Sequence, residues 1–235
     1  MALPEGGTSR PPYCEREDAL RRYAGLLAAC STVRLTGTRD PSELYEVHIR
    51  DCLASVPFLP ERGPVIDVGS GGGLPGIVWA ICRPDLGVVL LDSVGKKCRA
   101  VREIADALGL ANVEVVCGRS EDVAGERRER FSLACARAVG SAGVTAELLS
   151  PLVRVGGLLL TFKGARLEQE LAEVQGADGK GRIAWRRLGL RAPIIHPRDD
   201  GANSSLSIVT WEKTSPCPRT FPRRPGMAAS KGWWA

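Results

Sequence analysis

The stretch Val65-Ile66-Asp67-Val68-Gly69-Ser70-Gly71-Gly72-Gly73-Leu74-Pro75-Gly76 decides the fold. Its first four residues are apolar except for one acid and read as a short buried strand. The glycines that follow admit close approach of the backbone to a ligand, and the helix expected from about Leu74 to Cys82 would turn its unpaired N–H groups toward an anion. In an open α/β sheet this strand-to-helix turn is where the ligand binds. Gly71-x-Gly73-x-x-Gly76 matches the dinucleotide pattern formally but begins two residues late. In the register that follows the strand, Gly69-x-Gly71-x-x-Leu74, the third glycine is missing, and Asp67 stands where a dinucleotide site carries an apolar residue. The loop therefore favours an S-adenosylmethionine-dependent methyltransferase over a nicotinamide or flavin enzyme, with Gly69 and Gly71 in the cofactor-binding turn and the methionine carboxylate as the anion.

Outward from the loop, apolar runs alternate with helical spacing. Strands are expected at 65–68, 88–92, 113–117, 132–136 and 157–163, with helices at about 95–108, 143–153 and 167–174. This alternation predicts a parallel sheet. Arg182–Leu190 and Ser205–Trp211 read as two strands joined by a loop, an antiparallel pair closing one edge. The resulting fold class is α/β, a Rossmann-like, mostly parallel seven-stranded sheet with an antiparallel edge pair and N-terminal helices. Upstream, Glu15–Cys30 carries apolar residues at helical spacing, and Asp40-Pro41-Ser42-Glu43 supplies an N-cap, a first-turn proline and an N3 acid for a second helix to about Val56.

The organisation that follows is a disordered segment 1–13, a methyltransferase domain 14–212 (helical part 14–60, Rossmann-like core 64–212) and a basic, Pro-rich tail 213–235. The tail has five cations and no acid, matching the net charge of +5 of the whole chain. It reads either as an extended arm suited to phosphate backbones or as a solvated terminus. The eight cysteines include no C-x-x-C pair, so a metal site is not expected. No apolar run is long enough to span a bilayer and the N-terminus lacks a signal-peptide layout, which predicts a cytoplasmic protein without a membrane partner.

Asp92, 23 residues after Gly69 at the end of the second strand, is placed to accept hydrogen bonds from ribose hydroxyls. Ser120 and Glu121 follow the third strand, where the adenine edge should lie, although Ser120 could equally be a helix N-cap. Arg137 ends the fourth strand at the rim facing the substrate. The run Cys135-Ala136-Arg137-Ala138-Val139 has neither the N-P-P-Y-like run of an exocyclic-amine methylase nor the Pro-Cys nucleophile of a C5-pyrimidine methylase. A ring nitrogen with a free lone pair needs neither, and no catalytic residue is assigned.

These features together resemble the RsmG (GidB) family of 16S ribosomal RNA methyltransferases, which act on N7 of a guanine. The resemblance runs from about residue 20 to 226 and is most specific in Ile66–Ile77 with its Leu74-Pro75-Gly76 ending, in Leu90-Leu91-Asp92-Ser93-x-Gly95-Lys96-Lys97, and in Phe162-Lys163-Gly164. Leu35-Thr36 with Arg39-Asp40-Pro41, His48-x-x-Asp51, Arg137-Ala138 and Phe221-Pro222-Arg223-Arg224-x-Gly226 add to it. It implies that Gly69, Leu74, Ser120, Glu121 and Arg137 contact S-adenosylmethionine and that Lys163, Arg223 and Arg224 face RNA, the partner being 16S rRNA or the small ribosomal subunit and the protein a monomer. His48 reads either as a helix residue bonded to Asp51 or as part of the target-base pocket; Lys163 reads either as a solvated strand end or as a phosphate contact. Departures fall outside the cofactor half: Cys30-Ser31, Arg34-Leu35, Val47-His48, Asp51-Cys52 and Ser204 replace the family's usual polar residues. They keep open an alternative, a diverged paralogue methylating a small purine-like metabolite.

Overall fold

In a computed structural model the structure describes residues 16–175, 181–198 and 206–234. Strand β1 (Val65–Val68) is buried throughout because both faces of the sheet are covered. Val65 points into the same core as Tyr23, Leu44, Ile77 and Trp79, whereas Ile66 and Val68 point into the core built on Leu149, Trp185 and Trp211. The period-2 alternation of the strand thus serves two separate hydrophobic layers. β2 (Val88–Asp92), β3 (Val113–Cys117), β4 (Phe131–Arg137) and β5 (Val153–Lys163) pair in parallel with order β3-β2-β1-β4-β5. β7 (Ser207–Glu212) joins β5 antiparallel, and β6 (Ile194–Pro197) forms the outer edge, antiparallel to β7. The order reverses between β1 and β4, and the switch point opens at their C-terminal ends.

One face carries α1 (Glu17–Ala29), α2 (Pro41–Glu43), a π-helical turn Leu44–Ile49, α3 (Arg50–Leu53), α4 (Gly76–Cys82) and α5 (Gly95–Leu108). The other carries α6 (Ser120–Glu126), α7 (Ala142–Leu149), α8 (Leu167–Gln175), α9 (Gly181–Arg186) and, near the C-terminus, α10 (Met227–Ser230). Asp40 does cap α2, accepting from Ser42 N at 2.9 Å, but Glu43 accepts from the Thr38 hydroxyl instead of closing a capping box.

Three expectations are corrected. Arg182–Leu190 is not a strand: α9 occupies its first half, because Trp185 and Leu188, three residues apart, both bury completely beside Trp211. The edge partner of β7 is instead Ile194–Pro197, whose two isoleucines stay exposed, so no apolar pattern marks it as a strand. The helix expected at 143–153 ends at Leu149, since Pro151 cannot continue it, and Val153 already pairs with Phe131. The expected disorder of 1–13 and the Ser204 departure lie outside the described residues.

Candidate cofactor and acceptor site

The glycine loop is pinned from three sides. Gly69 N and Ser70 N donate to Leu91 O at 2.7 and 3.0 Å, Gly71 N donates to Asp92 Oδ2 at 2.9 Å, and the buried Tyr23 hydroxyl donates to Gly72 O at 2.8 Å. Gly69 has a φ of +71°, and a Cβ there would stand 2.5 Å from Val139 Cγ2. A side chain is excluded on both counts. Gly76, the first residue of α4, donates its N–H to Asp67 Oδ2 at 2.9 Å. This corrects the idea that the helix N-terminus stays open to an anion: the helix starts two residues later than expected, and a strand carboxylate already caps it. The acid that separated this loop from a dinucleotide site is therefore a built-in cap.

Asp67 is fully buried and its Oδ1 has no hydrogen-bond partner among the described residues. Burial pushes its carboxyl up to about 7, opposed by the Gly76 N–H and the charge of Arg137. The native state therefore takes up a proton that the unfolded chain, titrating at its ordinary value near 3.8, has already lost. Stability from this group is present below pH about 4 and is lost as pH rises through about 7, at no more than about 1.4 kcal/mol per pH unit. Asp67→Asn should thus gain stability relative to the parent between pH 5 and 8; parallel urea-midpoint curves across that range would contradict it.

Two cavities meet at the loop. The first, about 210 Å³, is lined by Gly69, Asp92, Ser120, Glu121, Val139 and Leu148 among others. Asp92 accepts from Gly71 N and Val94 N, one per carboxylate oxygen, leaving lone pairs on both. The apolar walls, the strand-end acid and the close glycine backbone fit the adenosine end of S-adenosylmethionine. Ser120 is not a helix cap: Arg119 holds that position, and the Ser120 hydroxyl donates to Leu148 O, joining α6 to α7.

The second cavity, about 520 Å³, shares Gly69 and adds Leu74, His48, Asp51, Lys97, Arg137, Lys163 and Arg198. Asp51 lies between two guanidinium groups, Arg137 Nη1 at 3.3 Å and Arg198 Nη1 in close contact. His48 is not bonded to Asp51; it sits half-buried in the π-helical turn, and burial together with Arg137 lowers its pKa below the ordinary histidine value. A neutral imidazole at neutral pH results. Ala138 has a left-handed φ of +59°, a strained conformation beside the site. Arg198 was not singled out in the sequence and Lys97 was given no site role there, because only the chain's return through β6 and the start of α5 brings them here.

Two residues expected to face RNA are committed inside the fold. Lys163 is buried, donating to Gly140 O at 2.5 Å and paired with Glu170 at 2.8 Å, while Glu170 also accepts from Ala142 N at the start of α7. Arg223 pairs with Glu147, whose side chain is 1% exposed. Only Arg224 of that expected set is exposed. Nor is the tail an extended arm: Arg128 donates to the carbonyls of Cys217, Pro218 and Phe221, and Cys217, Phe221 and Trp233 are buried. Lys213 is buried too, held by Ser150 O and Glu129. Its apolar residues, spaced irregularly among prolines, concealed this docking in the sequence.

A sheet of order β3-β2-β1-β4-β5-β7-β6 with a glycine loop after β1 defines the class I methyltransferase fold. Solved structures agree on the fold: a variant of the 16S rRNA (adenine(1408)-N(1))-methyltransferase from Catenulisporales acidiphilia has a TM-score of 0.52 at 15% identity, covering 73% of this chain and 94% of that one. A precorrin-6y C5,15-methyltransferase from Geobacter metallireducens has 0.51 at 11%, covering 78% and 93%. The model of rRNA small subunit methyltransferase G (GidB) matches residues 16–178. The ribosomal RNA small subunit methyltransferase G of Rubrobacter xylanophilus is 38% identical over 92% of this chain and 84% of its own length, and that of Synechococcus elongatus 34% over 96% and 92%. The chain belongs to the rRNA small subunit methyltransferase G family.

Proposed function

We propose that the protein transfers the methyl group of S-adenosylmethionine to N7 of a guanine in 16S rRNA. The observation that carries this reading is the pairing of a nucleoside-sized pocket with a wider, cation-lined pocket that meets it at Gly69. The fold does not choose the acceptor, since its structural neighbours include both an rRNA enzyme and a precorrin enzyme. Family membership and the cations of the second pocket favour RNA.

S-adenosylmethionine supplies an electrophilic methyl group on a sulfonium. Gly69, Gly71, Leu74, Asp92, Ser120, Glu121 and Arg137 are the residues proposed to hold it. Guanine N7 carries a lone pair and no proton, so the protein's task is to place that nitrogen in line with the methyl and exclude water, without a general base. His48, neutral and half-buried, is suited to contact the target base, with Lys97 and Arg198 beside it. Arg224 offers an exposed charge to the phosphate backbone, while Lys163 and Arg223 support the pocket walls. The protein acts in the cytoplasm as a monomer.

Labelled methyl transfer to three acceptors tests this: small subunits lacking the N7 methyl group, naked 16S rRNA, and free guanosine. The proposal expects incorporation into subunits or 16S rRNA and none into guanosine. Transfer to the nucleoside alone would instead support a metabolite enzyme, the reading that the departures around Cys30, Arg34 and Val47 favour.

A further inference from the structure

The C-terminal segment is fastened at two points that flank the adenosine pocket. At the first, Arg223 gives Glu147 three hydrogen bonds: backbone N to Oε1 at 3.1 Å, Nε to Oε1 at 2.8 Å and Nη2 to Oε2 at 2.6 Å. The same Nη2 donates to Lys231 O at 2.6 Å, drawing the two ends of the intervening residues together. At the second, Trp233 Nε1 donates to Gly143 O at 2.8 Å, and its ring packs edge-on against Trp185 and Phe221. Gly143 leaves room for this end of the chain: a Cβ there would meet the Trp234 ring at 2.2 Å.

Between the two fastenings, Gly226, Ala228 and Ala229 line the same cavity as Gly69, Asp92 and Ser120. Every other lining residue of that cavity belongs to the sheet-and-helix core before residue 150. Gly226 N donates to Glu121 Oε1 at 3.4 Å, a direct link between the segment and the pocket's acidic rim. The side chains at the cavity are also the smallest available. Gly226 has a φ of +84°, and two alanine methyl groups present apolar surface where Leu91, Val144 and Leu148 present theirs. Flat apolar walls of this kind suit a purine ring.

We propose that Gly226–Ala229 form the outer wall of the cofactor's adenosine site, so that the basic C-terminal segment is part of cofactor binding. The proposal rests on the reading of this cavity as the S-adenosylmethionine site. It assigns the segment a task that neither an RNA-binding arm nor a solvated terminus would have.

The test uses the full chain and S-adenosylhomocysteine, with calorimetry and hydrogen–deuterium exchange. On binding, backbone amides in 226–231 should exchange at least about fivefold more slowly. Ala229→Trp, at an exposed position, should weaken binding by about tenfold or more with an unchanged urea midpoint. If the parent chain fails to bind S-adenosylhomocysteine, the cofactor reading falls and takes this proposal with it. If the parent binds, but exchange in 226–231 is unaltered and Ala229→Trp binds normally, only the wall assignment is overturned. Should Ala229→Trp prove unstable, the exchange measurement on the parent decides alone.

Discussion

Gly76→Ala should yield a chain that is less stable by about 2–6 kcal/mol and no longer binds S-adenosylhomocysteine. The added Cβ would lie 2.1 Å from Leu90 Cδ2 and 3.1 Å from Asp67 Oδ2, in a strand and loop that cannot both retreat. Overpacking of a buried site costs about 1–3 kcal/mol. Displacing the Gly76 N–H from Asp67 would leave a buried carboxylate with neither oxygen paired, which adds about 1–3 kcal/mol. Cofactor binding fails for a linked reason: α4 and the loop Gly69–Gly73 are one unit, with Ile77 N bonded to Gly73 O at 2.7 Å. Gly25→Ala is the matching control. That glycine lies inside α1 with open space at its Cβ, so alanine should stabilise the chain by about 0.5–1 kcal/mol. Urea unfolding of the two variants should therefore show shifts of opposite sign.

Arg223→Ala should cost about 3–5 kcal/mol, because it strands the Glu147 carboxylate in the interior. Glu147 is buried, and among the described residues its side-chain hydrogen bonds all come from Arg223. Adding Glu147→Gln to Arg223→Ala should recover part of the loss, since the charge no longer has to be buried unpaired. Arg224→Ala, one residue further on at the surface, should stay within about 0.5 kcal/mol of the parent while weakening rRNA binding. Equal stability losses at 223 and 224 would mean that the segment is not fastened through Glu147. Substitutions of this kind separate RNA contact from folding, which removal of residues 213–235 cannot do, because it strips Lys213, Phe221 and Trp233 from the interior.

The parallel half of the molecule was legible from local pattern. Runs such as Val88–Asp92 are buried on both faces and bounded by turns, so their type and limits follow from the sequence itself. The loop was legible because glycines at 69, 71 and 73 serve positive φ angles that other residues rarely adopt. Legibility ended where tertiary contacts decide. Trp185 of α9 and Leu188 in the turn after it bury on one side only because Trp211 and Trp233 complete the layer around them. Asp67 was read as a discriminating acid, but its function as the cap of α4 depends on the turn bringing Gly76 back over the strand. The resemblance, and the charge of the tail, suggested that Lys163 and Arg223 meet phosphate; Glu170 and buried Glu147 claim them instead. The pairing of Asp51 with Arg137 and Arg198 is likewise spread over more than a hundred residues and has no local signature.

The most direct test of the central claim is expression of this chain in cells that lack N7 methylation of 16S rRNA, followed by chemical cleavage at N7-methylguanine. Cleavage restored at one guanine of 16S rRNA, and lost again with Asp92→Ala in the cofactor pocket, is the predicted result. Absence of restored cleavage from a folded chain that binds S-adenosylhomocysteine would contradict the account and turn the second pocket over to a different acceptor.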